Sequence, residues 1–422
     1  MTIEKRDVLV IGGGAAGMAA ATELKKLGRD VALVERDHVL GGILNQCIHN
    51  GFGLHHFKEE LTGPEYAERF ADLASEQHIP IHLGMTVTEI DPCKEGTDRE
   101  GRHRVYGFTA SQGMVCFDVK AVVLAMGCRE RNRGNIGTPG TRPSGVYTAG
   151  LAQRLVNVEG YIPGKEVVIV GSGDIGLIMA RRMSWVGAKV KAVVEIQPYP
   201  AGLTRNIVQC LNDFSIPLYL NHVVSEIRGK NRVEAVEITP RDGSKPFVID
   251  CDTVLLSVGL VPDTEIAKTG GVALNPETGG PLVDYRHETS VPGIFACGNV
   301  LHVHDLVDYV TEESIRCAAS VNAFIGEEPA GMQIDIHAGA NLKYVVPGRM
   351  MLKEKNHLYM RSLIVSNRSE VQLTSGDRVI FSKKLRHVQP SEMIGIDIPE
   401  DILGDIDDGD RVEIHLQEMP HE

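Results

Sequence analysis

The residues best equipped for chemistry fall in two short segments. The first is Gly41-Gly42-Ile43-Leu44-Asn45-Gln46-Cys47-Ile48-His49-Asn50-Gly51-Phe52-Gly53, followed by His55 and His56. Cys47 reacts as a thiolate only where its surroundings lower its pKa. No second cysteine follows within reach of a dithiol pair, so the plainer reading is a packed core thiol and the alternative a single reactive one. A neutral imidazole such as His49 can accept the proton of an alcohol or amine as its hydride leaves. The second segment is His302-Val303-His304-Asp305. Alternation puts His302 and His304 on one side of an extended chain, but the sequence shows no companion cluster, so no metal site is expected. Cys47, His49 and His304 form the catalytic candidates.

Two other stretches carry charge. In VLAMGCRERNRGNIGTPGTRPSG an apolar run meets a small-residue turn and then Arg129, Arg131 and Arg133. These arginines read either as a solvated connecting loop or as cations beside a bound group. The acidic run Asp405-Ile406-Asp407-Asp408-Gly409-Asp410 has no glutamate at the distance a calcium loop requires. It reads as a solvated turn.

The elements that must position these residues are a repeated plan. An apolar strand at Asp7–Ile11 enters the turn Gly12-Gly13-Gly14-Ala15-Ala16-Gly17, then a helical stretch to Leu27, then a strand ending on Glu35. The same order recurs from Glu166 through Gly171-Ser172-Gly173-Asp174-Ile175-Gly176 to a strand ending on Glu195. In such a G-x-G-x-x-G turn the first glycine permits the tight bend. The second lets backbone approach a pyrophosphate, and the third lets helix and strand pack closely. The acidic strand end follows at the interval of about 20 residues that a ribose-binding carboxylate occupies. Two such units imply two dinucleotides. Glu195 would repel a 2′-phosphate, which favours NAD over NADP, and Arg36 beside Glu35 can lie against an adenine.

The bulk properties agree with a globular chain. It has 422 residues, 45 glycines grouped at strand ends, and a formal net charge of −13. That charge excludes a general binder of nucleic acid or anionic membrane. No apolar run reaches the roughly 18 residues of a membrane span. The N-terminal MTIEKRDVLVIGGG runs straight into a glycine turn and reads as a first strand rather than a signal peptide, which makes the cytoplasm the expected location. The eight cysteines form no CxxC pair and read as free thiols. From about residue 340 the texture changes to short strands and tight turns, with 326–340 as the linking segment.

With these motifs in hand, the sequence resembles the pyridine nucleotide-disulfide oxidoreductase superfamily over about residues 5–325. The resemblance implies an α/β fold of two Rossmann-like, three-layer dinucleotide-binding domains. A FAD domain (1–147 and 256–330) would be interrupted by an inserted NAD(P) domain (148–255), and a small β-rich domain (340–422) would follow. It implies FAD on Gly12, Gly14, Ala15, Ala16, Gly17, Glu35, Arg36, Gly41, Gly42, Asn45, Gln46, Val87, Ala125, Met126, Gly127, Gly298, Asn299 and Thr311. NAD would lie on Gly171, Gly173, Asp174, Ile175, Gly176, Glu195 and Gly259. Ala125-Met126-Gly127 and Ser257-Val258-Gly259 look like the two crossovers between the domains. TSVPGIFACGN, ending at Asn299, looks like the second FAD motif with asparagine where aspartate is usual, and the next helix, from about Thr311, would aim its N-terminus at the flavin. The paired redox cysteines of the disulfide reductases are missing. The 41–53 segment is similar instead to FAD proteins associated with glycerol-3-phosphate metabolism and to FAD subunits of opine and amino-acid dehydrogenases. The expected activity is therefore hydride or electron transfer between NAD(P)H, flavin and a small substrate or a partner subunit docked through 340–422. The alternatives are a single-cysteine oxidase, peroxidase or coenzyme A-disulfide reductase using Cys47, and an electron-transfer subunit without its own substrate site. Homo-oligomerisation is open.

Overall fold

The first apolar run folds as the strand Thr2–Ile11 and passes through Gly12 to the helix Ala15–Lys26. The computed structural model describes residues 2–94, 99, 101–352, 354–401, 406 and 411–420. The acidic run from 405 falls, apart from Ile406, outside the described residues. Among the described residues no helix is long and apolar enough to cross a membrane.

The chain divides into two compact units, Met1–Cys128 with Pro262–Glu422, and Arg129–Val261. In the first, strands are ordered Ile81–His82, Val31–Val34, Thr2–Ile11, Gly113–Leu124, His103–Thr109, Thr86–Asp91. Gly113–Leu124 is the pivot. It runs parallel to Thr2–Ile11 along one edge. On the other edge its first half pairs antiparallel with His103–Thr109, and its last residues pair parallel with Ile294–Ala296. Both faces of the sheet are covered, which is why Val8-Leu9-Val10-Ile11 reads as a continuous apolar run. Val8 and Val10 face the helices Ala15–Lys26, Gly63–Glu76 and Val307–Ile325. Leu9 and Ile11 face Met85, Val105, Phe117 and, from far along the chain, Tyr344 and Val346.

The second unit holds a five-stranded parallel sheet, ordered Val146–Thr148, Thr253–Leu256, Glu166–Val170, Lys189–Glu195, Leu218–Leu220, and a three-stranded antiparallel sheet. Residues 129–147, assigned to the FAD domain from sequence, pack in this unit. The reason is that Gly140 and Ser144 bridge to Ile227 and Arg232.

The C-terminal strands appear where the texture change placed them, with Gly376 at φ 57° turning Ser369–Ser375 into Arg378–Leu385. They have their own apolar cluster around Leu358, Val371 and Leu416. They do not form a third compact unit, however, because Tyr344 and Val346 are shared with the core of the first. The strand Gln333–Ala338, expected as linker, belongs to this β module.

Candidate functional site

Each glycine turn is shaped by close backbone approach. At Gly12 (φ +107°) a Cβ would stand 2.5 Å from the Ala125 carbonyl oxygen, and at Gly17 it would strike the Gly12 carbonyl. Gly171 (φ +93°) is pressed in the same way against the Ser257 carbonyl, and Gly176 against Gly171. The crossovers expected at Ala125–Gly127 and Ser257–Gly259 are thus the strand ends against which the turns fold. By contrast, no described atom lies within 4 Å of a Cβ placed on Gly14. The helices that start after Gly14 and Gly173 have no side-chain cap among the described residues. Their first N–H groups, at the positive end of the helix dipole, are available to an anion.

A carboxylate closes each turn. Gly13 N–H donates to Glu35 Oε2 at 2.6 Å and Asp37 N–H to Oε1 at 2.8 Å. Ser172 N–H and Oγ–H donate to Glu195 Oε2 at 2.8 and 2.6 Å, and Gln197 N–H to Oε1 at 2.9 Å. Both glutamates are buried, yet both Glu35 oxygens and Glu195 Oε1 each accept one of these bonds and retain a lone-pair site for a ribose hydroxyl. Arg36 is exposed, with Asp263 at 3.7 Å.

Over the first turn lies Gly42–Gln46, a single 3-10 turn entered through Gly41 at φ +112°. Gly42 stands against Gly14, where an added Cβ would meet the Gly14 Cα at 3.4 Å. Asn45 is committed to the loop itself, its Nδ2 donating to the Leu40 carbonyl at 2.8 Å. Gln46 is buried beside it. Cys47 is buried, its Sγ lies 3.3 Å from the Ile43 carbonyl oxygen, and burial pushes its thiol up to about 12. That environment does not produce a thiolate at neutral pH. His49 is half-buried against Phe52, and His55 is exposed. Val87 is a buried residue of the strand Thr86–Asp91, in the core with Leu9 and Val105.

The segment after Gly298 departs most from expectation. The helix begins at Val307, so Thr311 lies one turn inside it and bonds the Tyr66 hydroxyl at 2.7 Å instead of marking the N-terminus. The first-turn acid is Asp308. Its buried carboxylate accepts N–H bonds from Gly53 (3.1 Å), His55 (3.2 Å) and His56 (2.8 Å), which pins one segment of chemical residues to the other. Asn299 accepts from His304 N–H at 3.0 Å through its amide oxygen, and its Nδ2 faces Cys128 Sγ at 3.8 Å. The His302 and His304 side chains are fully buried, with Nε2 atoms 2.7 and 3.1 Å from the two oxygens of Glu313. Gly298 N–H donates to the same carboxylate at 2.6 Å. Burial opposes ionisation of Glu313, but the adjoining His304 and His302 hold its carboxyl well below the ordinary range. Burial likewise holds the His302 imidazole below its ordinary value, against the pull of Glu313. His304 therefore faces a carboxylate rather than solvent. The companion that the HVHD run lacks in sequence is supplied by the helix.

Asp308 and Glu313 were missed by sequence reasoning. A signal exists: Val310, Ser314, Cys317 and Val321 form the buried stripe of this helix, and Glu313 lies within it. In the second unit, Asp174 turns away from the glycine turn to anchor Leu203 N–H (2.9 Å) and Asn206 Nδ2 (2.6 Å), while Ile175 packs in the core. Arg133 donates to the carbonyls of Thr138, Pro139 and Thr141 and so organises its own loop. Arg131 N–H bonds the Gly259 carbonyl at 2.9 Å.

The open face at Gly14, the uncapped helix start and the Glu35 carboxylate fit a dinucleotide with its diphosphate at residues 12–17. The same construction fits a second at 171–176. The family model for pyridine nucleotide-disulphide oxidoreductase matches residues 6–320. One of the opine oxidase subunits of Agrobacterium tumefaciens is 28% identical over 316 residues, 69% of this chain and 61% of that protein. The CoA-dependent NAD(P)H sulfur oxidoreductase of Pyrococcus abyssi is 28% identical over 315 residues, 72% of this chain and 64% of that protein. The chain thus spans under two thirds of the length of these relatives. The structure of thioredoxin reductase from T. acidophilum superposes with a TM-score of 0.63 at 26% identity, covering 76% of this chain and 98% of that one. With two carboxylate-closed glycine turns of one design and a family match across both, the chain belongs to the pyridine nucleotide-disulphide oxidoreductases, enzymes whose two coenzymes are FAD and NAD(P)H.

Proposed function

We propose that this chain is an NADH-dependent flavoprotein oxidoreductase that works without a thiol relay. It would exchange electrons with a small hydroxyl- or amine-bearing substrate or with a partner subunit. The observation that carries this reading is Cys47, the one cysteine of the 41–53 segment, which is buried with its thiol pushed up to about 12. FAD would be held by the turn at 12–17, by Glu35, and by 41–46 and 298–299, and NADH by the turn at 171–176 and Glu195. When bound, the flavin supplies two-electron redox chemistry. The chain's own residues bind the phosphates, close the loop 53–56 through Asp308, and present His49 and His55 as proton acceptors. Buried Glu195 disfavours a 2′-phosphate, which supports NADH over NADPH. The 41–53 segment makes sn-glycerol 3-phosphate the first substrate to test. The likeness to an opine oxidase subunit supports a partner chain, with residues 340–422, beyond the family match, as its docking module.

The test is Cys47→Ser. Turnover of NADH with each acceptor is expected to stay within about twofold of the parent, since the buried thiol has no role in the chemistry. A collapse of sulfur- or peroxide-dependent turnover in the variant would instead favour a thiol enzyme, in line with the sulfur-reducing relative.

A further inference from the structure

We propose that His302, His304 and Glu313 bind a first-row transition-metal dication. One ligand atom from each lies within 4.8 Å of the others. All three side chains have 0% exposure, and the imidazole rings are 4.3 Å apart. Two imidazoles and one carboxylate are a donor set that selects zinc, iron or manganese over the harder calcium and magnesium. The N···O separations of 2.7 and 3.1 Å need widen by only about half an ångström to surround a cation at about 2.0–2.2 Å.

The cluster is hard to explain as packing alone. A buried carboxylate set between two buried imidazoles is often no more stabilising than apolar side chains of the same volume. The Nδ1 atoms of both histidines are also buried without a partner among the described residues. Without a cation each Nε2–H faces a Glu313 oxygen; because Nδ1 has no competing partner among the described residues, each ring can carry its proton there instead and turn the Nε2 lone pair to a cation. The nearby Arg361 is itself paired with Asp305 at 2.5 Å, so its charge is offset. Tyr359 packs on both rings, at 5.1 Å from each, and closes the site with a residue of the C-terminal module. A metal here would clamp 298–304 onto the long helix.

The full-length chain is incubated with zinc chloride, freed of loose metal by gel filtration over a weak chelator, and assayed by elemental analysis. About one zinc per chain is expected, falling at least about tenfold in His302→Gln/His304→Gln that remains folded by circular dichroism. Zinc well below one per chain, or equal zinc in parent and variant, overturns the proposal. Should the variant fail to fold, anomalous scattering at the zinc edge from crystals of the parent decides. A peak between the three side chains supports the site, and density elsewhere or none overturns it.

Discussion

Asp308 shows how one carboxylate sets the geometry of residues distant in sequence. It takes the N–H groups of Gly53, His55 and His56 together, the first bond buried and the other two partly so. Asp308→Asn keeps the shape but loses the charge and one acceptor oxygen. It is expected to cost about 2–3 kcal/mol in denaturant titrations and to open the 53–56 loop to proteases. Unchanged stability would mean the loop is held by other contacts. The stripe of the helix marks Glu313 as facing inward, but the roles of Asp308 and Glu313 are not legible from it, because a helical stripe identifies which face is buried and not what an acid on that face will meet. The partners of Asp308 lie more than 250 residues away. The arginines after Gly127 show the converse. Their cluster invites a ligand, yet Arg133 is spent on the carbonyls of its own turn, a local geometry that composition does not encode.

At the scale of elements, the two glycine turns were legible because only glycine tolerates both the positive φ and the carbonyl contact at Gly12 and Gly171. That makes them separable. Gly171→Ala should impose at least about 1–3 kcal/mol of backbone strain besides the clash. It should weaken NADH use tenfold or more while the protein stays yellow. Gly12→Ala should yield chain that retains little FAD. Absorbance and NADH kinetics on the two variants distinguish them, and equal loss of both coenzymes in Gly171→Ala would contradict separate sites. The helix start at Val307 was less legible. Its N-cap is Leu306, without a capping side chain, so the usual Ser, Thr, Asp or Asn signal is missing and Thr311 looks like the beginning. The C-terminal strands were readable from alternation, as in Ser369–Ser375 where every second residue is buried. Their merger with the first unit was not, because it rests on contacts between distant residues, Tyr344 and Val346 in its core and Tyr359 and Arg361 against 302–305.

For the whole molecule, the buried histidines set the response to acid. Burial holds His287 and His103 down at about 4, against about 6.5 in the unfolded chain. The unfolded state therefore binds protons first as pH falls, so stability declines from about pH 6.5 and levels off near pH 4, by about 2 kcal/mol for each histidine at pH 5. Around His287, ionised Glu313 pulls its pKa up while Arg316, His302 and His357 push it down. His287→Gln should flatten the melting-temperature profile between pH 7 and 5, and an unchanged slope would remove His287 as a cause. Above all, two amide-lined cradles of one design imply two coenzymes on one polypeptide. The direct measurement is a count of bound FAD in the purified chain followed by anaerobic titration with NADH. The expected result is about one FAD per chain, bleached by NADH. A colourless chain that takes up no FAD on reconstitution would contradict it.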